Sequence, residues 1–380
     1  MPAGRSRVSV SIFENLFVLE LANNHWGRIE RGLKIISDFS RVVRFNNVHA
    51  AIKLQFRDVD SFIHRDFRDR TDIRYIKKTR DTQLSWDELR QMVEAVRDAG
   101  MVTMVTPFDE VSVDKCVEFG VEILKIASSD IRDRSLLEKI ASTGLPVIAS
   151  SGGANLDHID DLVAFFAERN IPFALNHCVS LYPSEDSDLE LNQIDHLRAR
   201  YPDITIGLST HEYRDWHDSM LIAYGKGART FERHIDIDYE GVPVSSYCTK
   251  PEQADIWFRA FKKAQEMCGT TAAGERRVVP EAERRYLDAL VRGVYAKRDL
   301  PAGTTLTRDD VYFSVPLLKG QISTREFAGG EVLTAPLGAD EPIVVSGFEG
   351  AIHGNQPLVE LISDRGLETV EAAPVKVVNS

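Results

Sequence analysis

The sequence predicts an α/β protein, a (β/α)8 TIM barrel followed by a small β-rich domain. Three observations predict it. Eight short apolar runs recur between residues 17 and 234, segments of helical periodicity fill the gaps between them, and the pattern changes after about residue 270. Most of the runs end in a residue able to do chemistry. In a (β/α)8 barrel the C-terminal strand ends build the active-site face.

Taken in order, FVLELA (17–22) brings Glu20 to its end, and AAIKLQF (50–56) brings Lys53 and Gln55. MVTMVTP (101–107) brings Thr106, VEILKIAS (121–128) brings Lys125 and Ser128, and LPVIASS (145–151) brings Ser150. IPFALNHC (171–178) brings His177, ITIGLSTH (204–211) brings Ser209 and His211, and ARTFERH (228–234) brings Glu232 and His234. Between them, SWDELRQMVEAVRDAG (85–100) is the clearest helix: Ser85 is an N-cap, Glu88 completes a capping box and Gly100 is a stop. Segments 112–120, 156–170 and 250–269 read the same way. Arg57 to Gln83 is too long and too charged for an ordinary βα loop, which predicts a lid or a charged excursion beside the site.

The barrel is therefore expected over 1–269, a polar linker with a short helix over 270–290, a small β-rich domain over 291–350 and a C-terminal tail over 351–380. The β-rich reading rests on the strand-like VYAKRDL, the turn at Pro301-Ala302-Gly303 and the short strand-like pieces of 329–350.

Composition narrows the function. With 380 residues, 43% of them hydrophobic, one barrel and a second domain can both bury a core. The net charge is −12 and the pI about 5.4, without a basic stripe, which argues against nucleic acid. No run approaches the ~20 apolar residues of a membrane span, and MPAGRSRVSVSIFENLF lacks the apolar stretch of a signal peptide. Cys116, Cys178, Cys248 and Cys268 lack metal-ligand spacing, so the expectation is a cytoplasmic protein with reduced thiols.

His211 and His234 stand at the ends of consecutive strands, roughly 5 Å apart, where two imidazoles can converge on one divalent metal with positions left for water or substrate. Each is otherwise a hydrogen-bonded residue at a strand end. Lys53 and Lys125 need an anion in a barrel mouth, or must snorkel outward. The hydroxyls of Thr106, Ser128, Ser150 and Ser209 offer donors on the same rim, or local caps, and Ser150-Ser151-Gly152-Gly153 suits a backbone anion nest. Glu20 is a general base, or an acceptor for the Asn23-Asn24-His25 turn. Tyr182 faces substrate or packs on the rim, and His177 is catalytic or supports a neighbour.

These residues resemble the sialic acid (N-acetylneuraminate) synthase family, whose members condense phosphoenolpyruvate with an aldose. ELANNHWG (20–27) is similar to the family's E-I-G-x-N-H-x-G, KLQ (53–55) to K-F-Q, TPFD (106–109) to the same string, and KIASSD (125–130) to K-I-x-S-x-E. ASSGG (149–153) resembles S-T-G-M, HCVSLYP (177–183) resembles H-C-T-x-x-Y-P, GLSTHE (207–212) resembles G-Y-S-D-H-T, and ERHID (232–236) resembles E-K-H-F-T. RGVYAKRDLPAGTTLTRDDVYF resembles the family's C-terminal antifreeze-like (SAF, β-clip) domain.

The resemblance implies roles. Lys53, Thr106, Lys125, Ser128, Ser150, Ser180 and Ser209 would hold phosphoenolpyruvate, with Ser180 standing where many members have Asn. His211 and His234 would hold a divalent metal, usually manganese, with magnesium or cobalt as alternatives, and would share the catalytic role with Glu20 as acid/base group. Gln55, Phe108 and Tyr182 would line the sugar channel. The family forms a domain-swapped homodimer. Two departures fall on the sugar side: Val244 stands in the stretch where the family has an acid, and Pro316-Leu317-Leu318-Lys319-Gly320 replaces an arginine-bearing R-P-G-x-G. Nearby Asp236, Asp238 or Glu240 could supply the acid, and Lys319 or Arg325 the cation. The function expected is a transferase forming a 3-deoxy-2-keto acid. The alternatives are a metal-dependent sugar aldolase or isomerase and a non-catalytic carbohydrate-binding homologue.

Overall fold

The computed structural model describes residues 12–271, 275–288 and 290–368. The chain divides into two compact units, Met1–Thr270 and Thr271–Ser380. In the first, eight parallel strands close into a barrel: β1 (Leu16–Glu20), β2 (Ala50–Phe56), β3 (Val102–Pro107), β4 (Ile123–Ile126), β5 (Val147–Ser150), β6 (Phe173–Cys178), β7 (Thr205–Ser209) and β8 (Thr230–His234). Alternate residues of a strand face opposite sides of the sheet, and the two buried clusters follow that alternation. Leu16, Val18, Ala51, Met104, Ile123, Ile148 and Ala174 pack together with Phe13. Phe17, Leu19, Ile52, Leu54, Val105, Leu124, Val147, Ala149, Leu175 and Phe231 belong to the much larger cluster that includes the helices. The first cluster fills the barrel interior and the second fills the shell between barrel and helices.

The inward rows change character at their C-terminal ends. Leu16 and Val18 are followed by Glu20, Ala51 by Lys53, Ile123 by Lys125 and Ile148 by Ser150. Register places these ends at matching heights: Glu20 pairs with Lys53 on one side and with His234 on the other, and Ser209 pairs with Glu232.

The helices dock through their apolar faces. Pro251–Cys268 brings Trp257, Phe258 and Phe261 around the outward-facing Phe17, with ring centroids at 4.7, 4.8 and 5.0 Å in edge-on geometry. Truncating Phe17 to alanine would cost about 3–5 kcal/mol. The helix Trp86–Asp98 carries the expected capping box: Ser85 Oγ accepts from the Glu88 amide and the Glu88 carboxylate accepts from the Ser85 amide. Gly100 follows it with φ +75°, a conformation that favours glycine. The charged excursion after β2 folds as short helices, Val59–Phe62 and Arg74–Asp81, with a 3-10 turn at Arg65–Phe67 between them.

The second unit begins with a helix, Glu281–Asp288. Its β structure is two antiparallel pairs, β9 (Gly293–Ala296) with β10 (Val311–Ser314) and β11 (Val332–Leu333) with β12 (Phe348–Glu349). Val294, Leu306, Val311, Ile322, Leu333, Ile343 and Phe348 form its core. The segment read as a tail after 350 differs from that expectation up to residue 368. It holds a helix, Gln356–Asp364, whose Ile362 is fully buried in this core. Leu358 and Val359 on the same face supply the apolar stripe that a solvent-exposed tail would lack. Residues 369–380 lie outside the described ones.

Candidate active site

A cavity of about 490 Å³ opens at the C-terminal ends of the barrel strands. Thirteen residues given a catalytic, metal or substrate role from the sequence resemblance line it: Glu20, Lys53, Gln55, Thr106, Phe108, Lys125, Ser128, Ser150, Ser180, Tyr182, Ser209, His211 and His234. Side chains from all eight strands or the loops that follow them therefore converge.

Its floor is a buried charge cluster. Lys53 and Lys125 are only 4% and 2% exposed. Both reach the same oxygen, Glu232 Oε1, at 3.1 and 3.2 Å. Ser209 Oγ donates to that oxygen at 3.1 Å, and Lys125 Nζ donates to Ser150 Oγ at 2.6 Å. Lys53 also pairs with Glu20, which accepts from Gln55 Nε2 at 3.1 Å, and Gln55 Oε1 accepts from Arg57 at 3.1 Å. One polar chain thus runs from the rim at Arg57 to the floor at Ser150. Burial favours the neutral lysine and holds the Lys53 ammonium down to about 7, with Glu232 opposing and Lys125 adding to the shift. Against its own burial, Glu232 is held below the usual carboxylate range by Lys125 and Lys53. Glu232 Oε2 and Thr106 Oγ1 are buried without a hydrogen-bond partner among the described residues. Such atoms are costly unless a ligand or water completes them. Gly152 widens the cavity wall, since a Cβ there would meet Ser180 Oγ at 2.1 Å and Ser128 Oγ at 2.7 Å.

The two histidines stand above one side of this floor, ring centroids 5.4 Å apart and tilted 40°. His211 Nδ1 lies 2.9 Å from the Val179 carbonyl. A carbonyl only accepts, so Nδ1 carries the hydrogen and Nε2 keeps its lone pair. Burial lowers His211 to about 4 and His234 well below the usual histidine range, with His211 and Lys53 adding to the latter. Both rings are neutral at pH 7, the form that binds metal. Among the described residues no group of three or more His, Cys, Asp or Glu is arranged to hold an ion. The pair fits a divalent cation that takes its other ligands from substrate and water.

His177 does not join the site. It follows inward-facing Asn176 on β6 and so points to the outer shell, where its Nε2 lies 2.8 Å from the Leu189 carbonyl. Nor do the acids near Val244 line the cavity. Asp236 is paired with buried Arg31 at 2.5 Å, Asp238 with Lys250 at 2.6 Å and Glu240 with Arg28 at 2.5 Å. Among the lining residues without an assigned role in the sequence reading are Glu232, Arg57 and Tyr75. Glu232 had a usable signal, since it lies two residues before His234 and so faces the same side of β8. Arg57 and Tyr75 lie in the excursion, which has no periodicity to orient them.

A model of the NeuB family matches residues 46–272, more than half of the chain, and one of the SAF domain matches 291–349. The chain belongs to the NeuB family. The crystal structure of a protein described as spore coat polysaccharide biosynthesis protein E from Chromobacterium violaceum superposes with a TM-score of 0.84. It has 36% identity and covers 89% of this chain and 100% of the other. The N-acetylneuraminate-9-phosphate synthase of Mus musculus is 29% identical over 65% of this chain and 67% of its own. The N,N'-diacetyllegionaminic acid synthase of Legionella pneumophila is 27% identical over 62% and 65%. The NeuB chain is thus an enzyme of the synthase type, carrying a TIM barrel and a SAF domain.

Proposed function

We propose that this enzyme joins phosphoenolpyruvate to an aldose, giving a 3-deoxy-2-keto acid of the nonulosonate type and inorganic phosphate. The observation that carries the reading is the pair of buried lysines, Lys53 and Lys125, meeting on Glu232 beneath two neutral histidines in one cavity. A neutral sugar alone needs no such pair of cations, which disfavours an aldolase or isomerase. An anion with a phosphate and a carboxylate uses both.

Lys53 and Lys125 hold the anionic ends of phosphoenolpyruvate, with hydroxyls of Thr106, Ser128, Ser150, Ser180 and Ser209 as further donors. Thr106 Oγ1, unpartnered among the described residues, gains a partner there. Gln55, Phe108 and Tyr182 bound the space left for the sugar. The enol carbon attacks the aldehyde carbon, water adds to the resulting oxocarbenium carbon, and phosphate leaves with cleavage of its bond to that carbon. Glu20, oriented by Gln55 and Lys53, takes the proton of the added water. The lysines stabilise the anionic charge throughout. His211 and His234 would hold a divalent cation, manganese with magnesium or cobalt as alternatives, and bound there it would supply Lewis-acid polarisation of the aldehyde.

The homodimer and a cytoplasmic setting belong to the same proposal. The setting is supported by four unpaired thiols, and sedimentation velocity tests the dimer. The function is tested by phosphate release over a panel of aldoses. Release that requires phosphoenolpyruvate, aldose and divalent metal together is expected. Aldose cleavage or isomerisation without phosphoenolpyruvate would replace this reading.

A further inference from the structure

His211 and His234 line the same cavity but are held in different ways. The His211 ring is fixed by a hydrogen bond from Nδ1 to the Val179 carbonyl at 2.9 Å. Among the described residues no hydrogen bond reaches the His234 ring. An imidazole turns about its last side-chain torsion in a broad well, so without such a bond only packing aims its nitrogens. Here that packing is aromatic. The Tyr247 ring meets His234 at 5.3 Å between centroids and 83° between planes, and Tyr182 meets it at 5.9 Å and 75°. The two tyrosines also meet each other, at 5.4 Å and 76°. All three contacts are edge-on, an arrangement that ring quadrupoles favour.

Tyr247 belongs to the segment between β8 and the helix Pro251–Cys268, the stretch in which this chain departs from the family's acid-bearing pattern. The segment is pinned at both ends. At its start, Asn24 Nδ2 donates to the Ile235 carbonyl at 2.8 Å. Fully buried Arg31 donates to the carbonyls of Ile237 and Tyr239 at 3.0 and 2.9 Å and pairs with Asp236. At its end, the Thr249 amide donates to the His234 carbonyl at 2.7 Å, and the Asp236 amide to the Thr249 carbonyl at 3.1 Å. The Cys248 amide closes a turn on the Ser245 carbonyl at 2.9 Å, and the buried Cys248 thiol accepts from Asn24 at 3.5 Å. Tyr247 is the third residue of that turn, so backbone bonds on either side set its place beside His234. Tyr247 does not line the cavity. It reaches the site only through His234 and Tyr182.

We propose that Tyr247 is a positioning residue for the proposed cation site: its ring, braced by Tyr182, aims the His234 imidazole at the point it would share with His211. The inference rests on the proposed divalent cation. It gives the loop after β8 a task in this chain that needs an aromatic ring and not a carboxylate. It leaves the floor at Lys53 and Lys125 untouched.

The test compares Mn²⁺ titrations, by calorimetry and electron paramagnetic resonance, of full-length wild type, Tyr247→Phe and Tyr247→Leu. Tyr247→Leu keeps an apolar side chain but removes the ring edge. It should weaken Mn²⁺ binding at least about tenfold, the usual loss when a residue that orients a metal-ligating histidine is removed. Tyr247→Phe should bind Mn²⁺ as wild type does. Both should bind phosphoenolpyruvate without metal at wild-type affinity. In metal-free protein labelled on histidine, the His234 ring resonance should broaden in Tyr247→Leu and stay sharp in Tyr247→Phe. Wild-type Mn²⁺ affinity in Tyr247→Leu, or an equal loss in Tyr247→Phe, would overturn the proposal, the second by giving the task to the hydroxyl. A matching loss of phosphoenolpyruvate affinity would overturn it too, as a general disturbance of the cavity. A wild type that binds no Mn²⁺ would instead overturn the cation reading itself.

Discussion

His211 and His234 face each other across adjacent strand ends with ring centroids 5.4 Å apart, and the Val179 carbonyl fixes the tautomer of the first. Neutral, buried and convergent imidazoles would offer a proposed divalent cation two nitrogens. The double variant His211→Ala/His234→Ala should fold with an unchanged far-ultraviolet spectrum. It should bind no Mn²⁺ by calorimetry or electron paramagnetic resonance, and activity should fall by several orders of magnitude, because Lewis-acid stabilisation is worth several kcal/mol. Mn²⁺ binding at wild-type affinity would remove both residues from the metal site.

Phosphoenolpyruvate binding should depend on pH through Lys53. Burial lowers this ammonium to about 7, so it is charged below that pH and neutral above it. Affinity measured without metal should be greatest near neutrality, since at lower pH the ligand's phosphate, with a second pKa of about 6, becomes protonated. It should then fall as pH rises from about 7 to 9, with a limiting slope of about tenfold per unit for one proton. Above about pH 7 that phosphate is already almost fully ionised and contributes little to the slope. In Lys53→Met the slope should vanish and affinity at pH 6.5 should drop by about tenfold or more. A slope that survives the substitution would assign the titration to another group.

Glu212 and Arg233 form a buried pair next to the two histidines. Each neighbours one of them in sequence. Arg233 donates to the Glu212 carboxylate at 2.6 Å and to its carbonyl at 2.7 Å, both side chains being almost wholly buried. Glu212→Gln breaks a buried pair and leaves Arg233 uncompensated, which should cost about 3–5 kcal/mol. Metal affinity should fall with it, while phosphoenolpyruvate affinity in the folded variant should change far less. Thermal unfolding and Mn²⁺ titration check the two effects separately, and an unchanged Tm would deny the pair its structural role.

In the second unit, Arg365 holds Glu326 in a two-pronged contact, and Ser323 donates to the same carboxylate through its amide. Despite desolvation, these partners hold the carboxyl down to about 2. A depressed folded-state pKa contributes stability that is complete above the ordinary carboxylate range, about 4.5, and is lost as pH falls towards 2. Glu326→Gln should therefore lower the stability of residues 291–368 by about 2 kcal/mol at pH 7, after allowance for solvent screening, and by almost nothing at pH 2. Amide hydrogen exchange in the full chain at the two pH values measures the difference.

The residues explain which parts of this molecule could be read in advance. The alternation of Leu16, Val18 and Glu20 against Phe17 and Leu19 is local. It follows from the two-residue period of a strand, so the barrel and the inward direction of its strand ends were written in the one-dimensional pattern. The same period, applied strictly, turns His177 away from the cavity and Glu232 into it. Neither conclusion needs coordinates, although strand-end position alone did not separate them. The helix Gln356–Asp364 was less legible, because its stripe of Leu358, Val359 and Ile362 spans barely two turns.

The sequence by itself determined the strand order, the outward shell, the SAF-like second unit and the set of polar side chains that the barrel mouth must hold. Each of these depends on spacing along the chain or on residue type. Only the tertiary structure decided which charges meet. Lys53 and Lys125 are 72 positions apart yet share one oxygen of Glu232, and Arg57 reaches Gln55 and the Phe108 ring from an excursion without periodicity. Charge pairing depends on distance in space and on the exclusion of water, which arise only when the barrel closes and its mouth is buried.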